Sequence, residues 1–169
     1  PLIVQDPPAR PQVSTPGRIL LVEDDETNQK HAVRLLSRFG YNDVTIAPTG
    51  HDALEALSKH GYALILMDYQ MPEMNGFTTT ARIRERERQL GMYTPIIALT
   101  ARALPRDREK FLAAGMDDYI TKPIDRDVFK AAIDRWMRLS STADSDFVAL
   151  AGHEHEQVIT TEASQRALR

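Results

Sequence analysis

Tyr62 to Phe77, YALILMDYQMPEMNGF, is the stretch whose reading decides the fold. Ala63 to Met67 is an unbroken apolar run of strand length, the pattern of a strand buried on both faces. Pro72, Asn75 and Gly76 then mark a loop, which places Asp68 at the strand's C-terminal end. In open α/β sheets that edge is where ligands bind. A carboxylate carried there on a buried strand is costly unless it has a partner or a task.

Strand and helix signals alternate outward from this run. Ile19 to Glu23 reads as a first strand, followed by a helix over Glu26 to Phe39 that Gly40 ends. Asp43 to Ala47 is a second strand, and Thr49-Gly50-His51-Asp52 has capping-box spacing for a short helix through Leu57. Asn75 is a good N-cap for a helix from Gly76 to about Leu90. Pro95 to Thr100 is a fourth strand; Pro105 opens and Gly115 stops a fourth helix. Asp117 to Thr121 is a fifth strand, and a last helix over Asp125 to about Leu139 carries Val128, Ala132 and Trp136 as its expected buried stripe. Five β–α units imply a parallel sheet with helices on both faces.

The 169 residues allow one domain with a sizeable core, plus tails. Residues 1–17 hold five prolines and read as a linker; residues 18–139 form the domain; residues 140–169 read as a polar, acidic and largely disordered tail. The missing initiator Met suggests a piece of a longer polypeptide. A net charge of −3, from 21 basic and 24 acidic residues, argues against a nucleic-acid-binding role. The absence of cysteine removes disulfides, thiolate metal sites and a cysteine nucleophile, and fits a reducing compartment. The apolar runs are too short to cross a bilayer, and the start is not a signal peptide. Glycine-rich nucleotide loops are absent.

A parallel sheet gathers every strand's C-terminus on one edge. Glu23-Asp24-Asp25, Asp68, Thr100 and Lys122 then share one crevice. Clustered carboxylates with few basic neighbours make a hard-oxygen site suited to Mg²⁺. Such an ion would draw phosphoryl oxygens toward Asp68, a plausible nucleophile, with Lys122 and Thr100 available to the phosphoryl oxygens. Each residue has a blander reading: Asp24 to Glu26 as acids at a helix start, Thr100 as a strand-end hydroxyl, Lys122 as a solvated charge. Their joint placement favours the chemical one. His31, His51 and His60 read as surface residues, His153-Glu154-His155-Glu156 as a solvated run, and RIRERER (Arg82 to Arg88) as a solvated helix face.

Four segments, ILLVEDDETNQ, LILMDYQMPEMNGF, TPIIALTA and AAGMDDYITKPI, resemble the receiver domain of two-component response regulators, most closely that of a hybrid sensor histidine kinase. The resemblance covers residues 18 to about 139 and implies a flavodoxin-like (βα)5 three-layer sandwich with strand order 2-1-3-4-5. It implies that Asp68 accepts a phosphoryl group from a phosphohistidine, and that Mg²⁺ is held by Asp24, Asp68 and the backbone carbonyl of Gln70, with Glu23 acting through water. Asp25 falls just past the acidic pair and is ranked as a helix-start residue. Thr100 and Lys122 match the phosphoryl-contacting pair, Tyr119 matches the aromatic switch, and the Lys122–Pro123 bond is expected to be cis. Phosphorylation would shift the face built by helix four, strand five and helix five.

Two departures stand out. Asn75 replaces the more usual Asp, an equivalent N-cap, and Arg102 replaces the more usual Asn at the crevice rim. The implied partner is a histidine kinase core or a histidine-phosphotransfer domain, the implied state a monomer or weak dimer. The implied location is cytoplasmic, free or tethered to a membrane-bound sensor kinase. Two other readings stay open: a phosphorylation-independent binding module of the same fold, and an aspartyl-phosphate phosphatase. The phosphatase would want a second Asp where Gln70 stands, so turnover is not expected of this domain, whatever activity a parent kinase carries.

Overall fold

The computed structural model describes residues 17–101 and 107–139. Residues 1–16, the tail from 140, the His153–Glu156 run, Arg102 and Pro105 lie outside the described residues.

Five strands, β1 (Ile19–Val22), β2 (Val44–Ala47), β3 (Leu64–Asp68), β4 (Ile96–Thr100) and β5 (Asp118–Thr121), form one parallel sheet in the order β2-β1-β3-β4-β5. Between them run α1 (Glu26–Arg38), α2 (Gly50–Lys59), α3 (Gly76–Leu90) and α4 (Asp107–Ala113), and α5 follows over 126–139. The expected flavodoxin-like sandwich is what forms. The period-2 alternation of strand side chains divides the core into two layers. Ile19, Leu21, Leu64 and Leu66 pack with Leu36 of α1 and with Phe129, Ile133 and Trp136 of α5. Leu20, Val22, Ile65 and Met67 pack with Ala53 of α2, Ile83 of α3 and Phe111 of α4. Residues 64–67 of β3 are fully buried, each such side chain contributing roughly 1.5–3 kcal/mol.

The helix starts follow the sequence. Asp25, Thr49 and Asn75 are the N-caps of α1, α2 and α3, accepting from the N–H groups of Asn28, Asp52 and Thr78 at 2.8, 3.1 and 2.9 Å. Gly91 ends α3 at φ 66°, a left-handed cap that glycine adopts without a Cβ penalty.

The last helix departs from expectation. Its buried stripe is Phe129, Ile133 and Trp136, while Val128 is 56% exposed and Ala132 only half-buried. Positions i and i+8 diverge by about 80° around a helix, whereas i and i+7 nearly eclipse. The larger apolar set beginning at Phe129 therefore wins the sheet face.

Candidate functional site

Strand register builds the crevice. Val22 pairs with Met67, so the next residues, Glu23 and Asp68, leave the sheet side by side. Asp68 pairs with Leu99 and Thr100 with Thr121, which sets Thr100 one step past Asp68 and Lys122 one step past Thr100. Glu23, Asp68 and Thr100 are buried, and Asp24 is exposed. Glu23, Asp24 and Asp68 each present a carboxylate oxygen, all within 4.8 Å of one another. The Lys122 Nζ bridges the two buried acids, 2.6 Å from Glu23 Oε2 and 3.0 Å from Asp68 Oδ2. The Lys122–Pro123 bond is cis, as the family pattern suggests.

Several supports were not singled out by the sequence. Asn28 Nδ2 donates to Glu23 Oε1 at 3.1 Å, and Gln29 Nε2 donates to the Glu23 carbonyl at 2.7 Å. The first turn of α1 thus fixes the Glu23 side chain; Asn and Gln just after an acidic strand end were the available signal. Gln70 contributes its backbone N–H, which donates to Asp68 Oδ1 at 3.0 Å, while its side chain is exposed.

Electrostatics follow from burial. Desolvation raises the Asp68 pKa and nearby Glu23 adds to the rise, against the Gln70 N–H and the Lys122 ammonium, which lower it. Desolvation alone would lower the Lys122 pKa, but its hydrogen bonds and charge pairing with Glu23 and Asp68 outweigh that and raise it. Three acids against one ammonium leave the crevice negative. Three oxygen donors, one of them open to solvent, fit a hard divalent cation that keeps several waters.

Beside the acids lies a cleft of about 290 Å³, lined by Tyr69, Gln70, Phe77, Thr100, Lys110 and Phe111 among others. Tyr69 packs on Phe77 at 4.7 Å and edge-on to Phe111 at 5.6 Å; Phe111 in turn stacks on the half-buried Tyr119 at 5.8 Å. Sequence reasoning picked Tyr119 and missed the other three rings, whose contacts depend on tertiary packing.

Other residues stand apart. His31, His51 and His60 are exposed, as expected. The Arg82–Arg88 stretch is not simply a solvated face. Arg84 and Glu87 turn inward, where Arg84 pairs with Glu87 and Asp117 and donates to the carbonyls of Thr94 and Gly115. A charge run on a helix exposes only the positions its rotation points outward, and positions 84 and 87, three apart, share the inward side with Ile83.

Residues 19–134 match the response regulator receiver domain family. The chain is 47% identical over 114 residues to "Hybrid signal transduction histidine kinase I" of Dictyostelium discoideum, which covers 64% of this chain and 6% of that protein. It is 39% identical over 115 residues to "Sensor histidine kinase RcsC" of Escherichia coli K12, covering 68% of this chain and 12% of the relative. The chain therefore spans a small part of these relatives. Among solved structures, it superposes with a TM-score of 0.64 on the receiver domain of the sensor histidine kinase PA1611 from Pseudomonas aeruginosa PAO1, which has a magnesium ion coordinated in its active-site cleft. That pair is 41% identical, covering 73% of this chain and 98% of the other. The receiver domain of Ssk1 from Saccharomyces cerevisiae, solved in complex with the histidine phosphotransfer protein Ypd1, gives a TM-score of 0.68 at 29% identity, covering 77% and 92%. On the sheet order, the crevice and these likenesses together, the chain belongs to the response regulator receiver domain family.

Proposed function

We propose that this receiver domain is a phospho-accepting switch in a phosphorelay, with Asp68 as acceptor. The observation that carries the reading is the Lys122 ammonium held between Glu23 and Asp68, with Asp24 close by. A carboxylate oxygen of Asp68 attacks the phosphorus of a phosphohistidine; the P–N bond breaks and its electron pair returns to the imidazole. Asp24, Asp68 and the Gln70 carbonyl, with Glu23 through water, would hold a Mg²⁺ ion, whose positive charge would offset the negative charge of the phosphoryl oxygens. Lys122 follows the charge from the Asp68 oxygen to the phosphoryl group, and Thr100 donates a hydrogen bond to it. Such transfer needs little beyond positioning and charge neutralisation. An inward-drawn Thr100 and a repositioned Tyr119 then alter the face of α4, β5 and α5.

The donor is a histidine kinase core or a histidine-phosphotransfer domain, and the setting a hybrid kinase, with this domain in the cytoplasm either free or tethered to a membrane-bound sensor. The names of the relatives and the Ypd1–Ssk1 pairing support the donor and the hybrid-kinase setting. No described helix is long and apolar enough to cross a membrane. Gln70, with no acid to offer a leaving group, disfavours a phosphatase. The test is labelling with acetyl phosphate: the wild type incorporates phosphate with Mg²⁺, and Asp68→Asn or EDTA abolishes it. Labelling that survives Asp68→Asn would refute the acceptor, and labelling that survives EDTA would refute the metal.

A further inference from the structure

At the sheet edge opposite the acids, a cleft of about 270 Å³ opens between the last turns of α2 and α3. Leu57, Ile83, Leu90 and Met92 give it apolar walls, and Leu90 is exposed. Two features mark it as more than a packing gap. The Tyr62 hydroxyl in its wall is buried and has no hydrogen-bond partner among the described residues. Such a group costs stability that Phe at this position would not, a cost that an acceptor supplied from the cleft would offset. The rim is also cationic, carrying Lys59 and Arg86. Lys59 is engaged by Glu55 at 2.6 Å, whereas no described carboxylate pairs with Arg86. The one acid in the lining, Glu87, is already taken up by Arg84 and by the Thr94 N–H.

We propose that this cleft binds a small amphipathic carboxylate, with an aromatic or short aliphatic body between Leu57, Ile83, Leu90 and Met92. Its carboxylate meets Arg86 at the rim. One carboxylate oxygen makes that contact, and the Tyr62 hydroxyl, sealed from water in the open cleft, donates to the other once the wall adjusts around it. The volume suits roughly a dozen non-hydrogen atoms, which sets the affinity in the high-micromolar to millimolar range.

The full chain, ¹⁵N-labelled, is titrated by NMR with 4-phenylbutyrate and with the neutral 4-phenylbutyramide. Saturable shifts are expected for amides at 57–62 and 83–94, with the carboxylate binding at least about fivefold tighter than the amide at low salt and the gap narrowing as salt rises. Arg86→Ala should remove that gap. Tyr62→Phe should weaken the carboxylate about three- to tenfold while leaving the unliganded chain as stable or more so. Absent or unsaturable shifts, shifts centred on the acidic edge, or a gap that survives Arg86→Ala would overturn the proposal. A less stable Tyr62→Phe chain would show the hydroxyl already satisfied and remove its assigned role.

Discussion

Asp68 and Gly76 show how closely single positions are tied at the acidic edge. A Cβ at Gly76 would lie 2.6 Å from the Asp68 carbonyl oxygen and 3.0 Å from the Tyr69 Cα, both backbone atoms that cannot swing aside. Gly76→Ala should therefore cost about 1–3 kcal/mol in a urea unfolding titration and displace the residue that carries the acceptor carboxylate. An unchanged midpoint would mean that the loop yields freely. Lys122→Met separates folding from chemistry in a different way. It leaves Glu23 and Asp68 buried and mutually repelling, so phosphate labelling should fall about 10²-fold or more while the circular dichroism spectrum stays native. Labelling within threefold of wild type would remove Lys122 from the charge-neutralising role. The placement of Asp68, Thr100 and Lys122 at one edge was legible in the sequence because the first two end recognisable strands and the third follows one. Asn28 and Gln29 offered only their position after an acidic strand end as a signal, because what they hold depends on how α1 leaves β1.

At the scale of elements, strand identity was the most legible feature and helix rotation the least. A strand buried on both faces announces itself by an unbroken apolar run, which is why β3 and β4 were placed to within a residue. Helix α5 offered two overlapping apolar stripes, and only the sheet could choose between them. Phe129→Ala should accordingly cost about 3–5 kcal/mol, and Val128→Ala within about 0.5 kcal/mol. Comparable losses from both would put the helix in the wrong rotation. The inward turn of Arg84 was equally hidden, since its partners come from the segments before β4 and β5. Arg84→Ala would leave Glu87 and Asp117 buried without their cation and should cost about 3–5 kcal/mol. Arg88→Ala, on the exposed side of the same helix, should cost about 0–1 kcal/mol.

The whole molecule is charged at both edges of its sheet, acids above and the Arg84 network below, and the lower one should govern how stability responds to pH. Burial pushes the Asp117 carboxyl up to about 6, despite the Arg84 guanidinium and the Ile96 N–H that favour its charged form. Glu87 and Asp118 add to the rise, and Asp117 also accepts from the Tyr93 hydroxyl. A carboxyl whose folded pKa lies above its unfolded one binds more protons in the folded state between the two values, so stability falls as pH rises through that window. This group should therefore add about 1 kcal/mol of stability between about pH 7 and pH 5, and roughly twice that by pH 4. Asp68, also raised by burial, acts in the same direction, whereas Asp134, lowered chiefly by its hydrogen bond to Lys130, acts oppositely as pH falls toward its own range. The contribution of Asp117 is isolated by comparing unfolding free energies of wild type and Asp117→Asn across that range. The variant's curve should lose about 1 kcal/mol of the acid-side gain, whatever its stability at neutral pH. Parallel curves would show that Asp117 keeps an ordinary carboxylate pKa, with Arg84 rather than burial setting its charge.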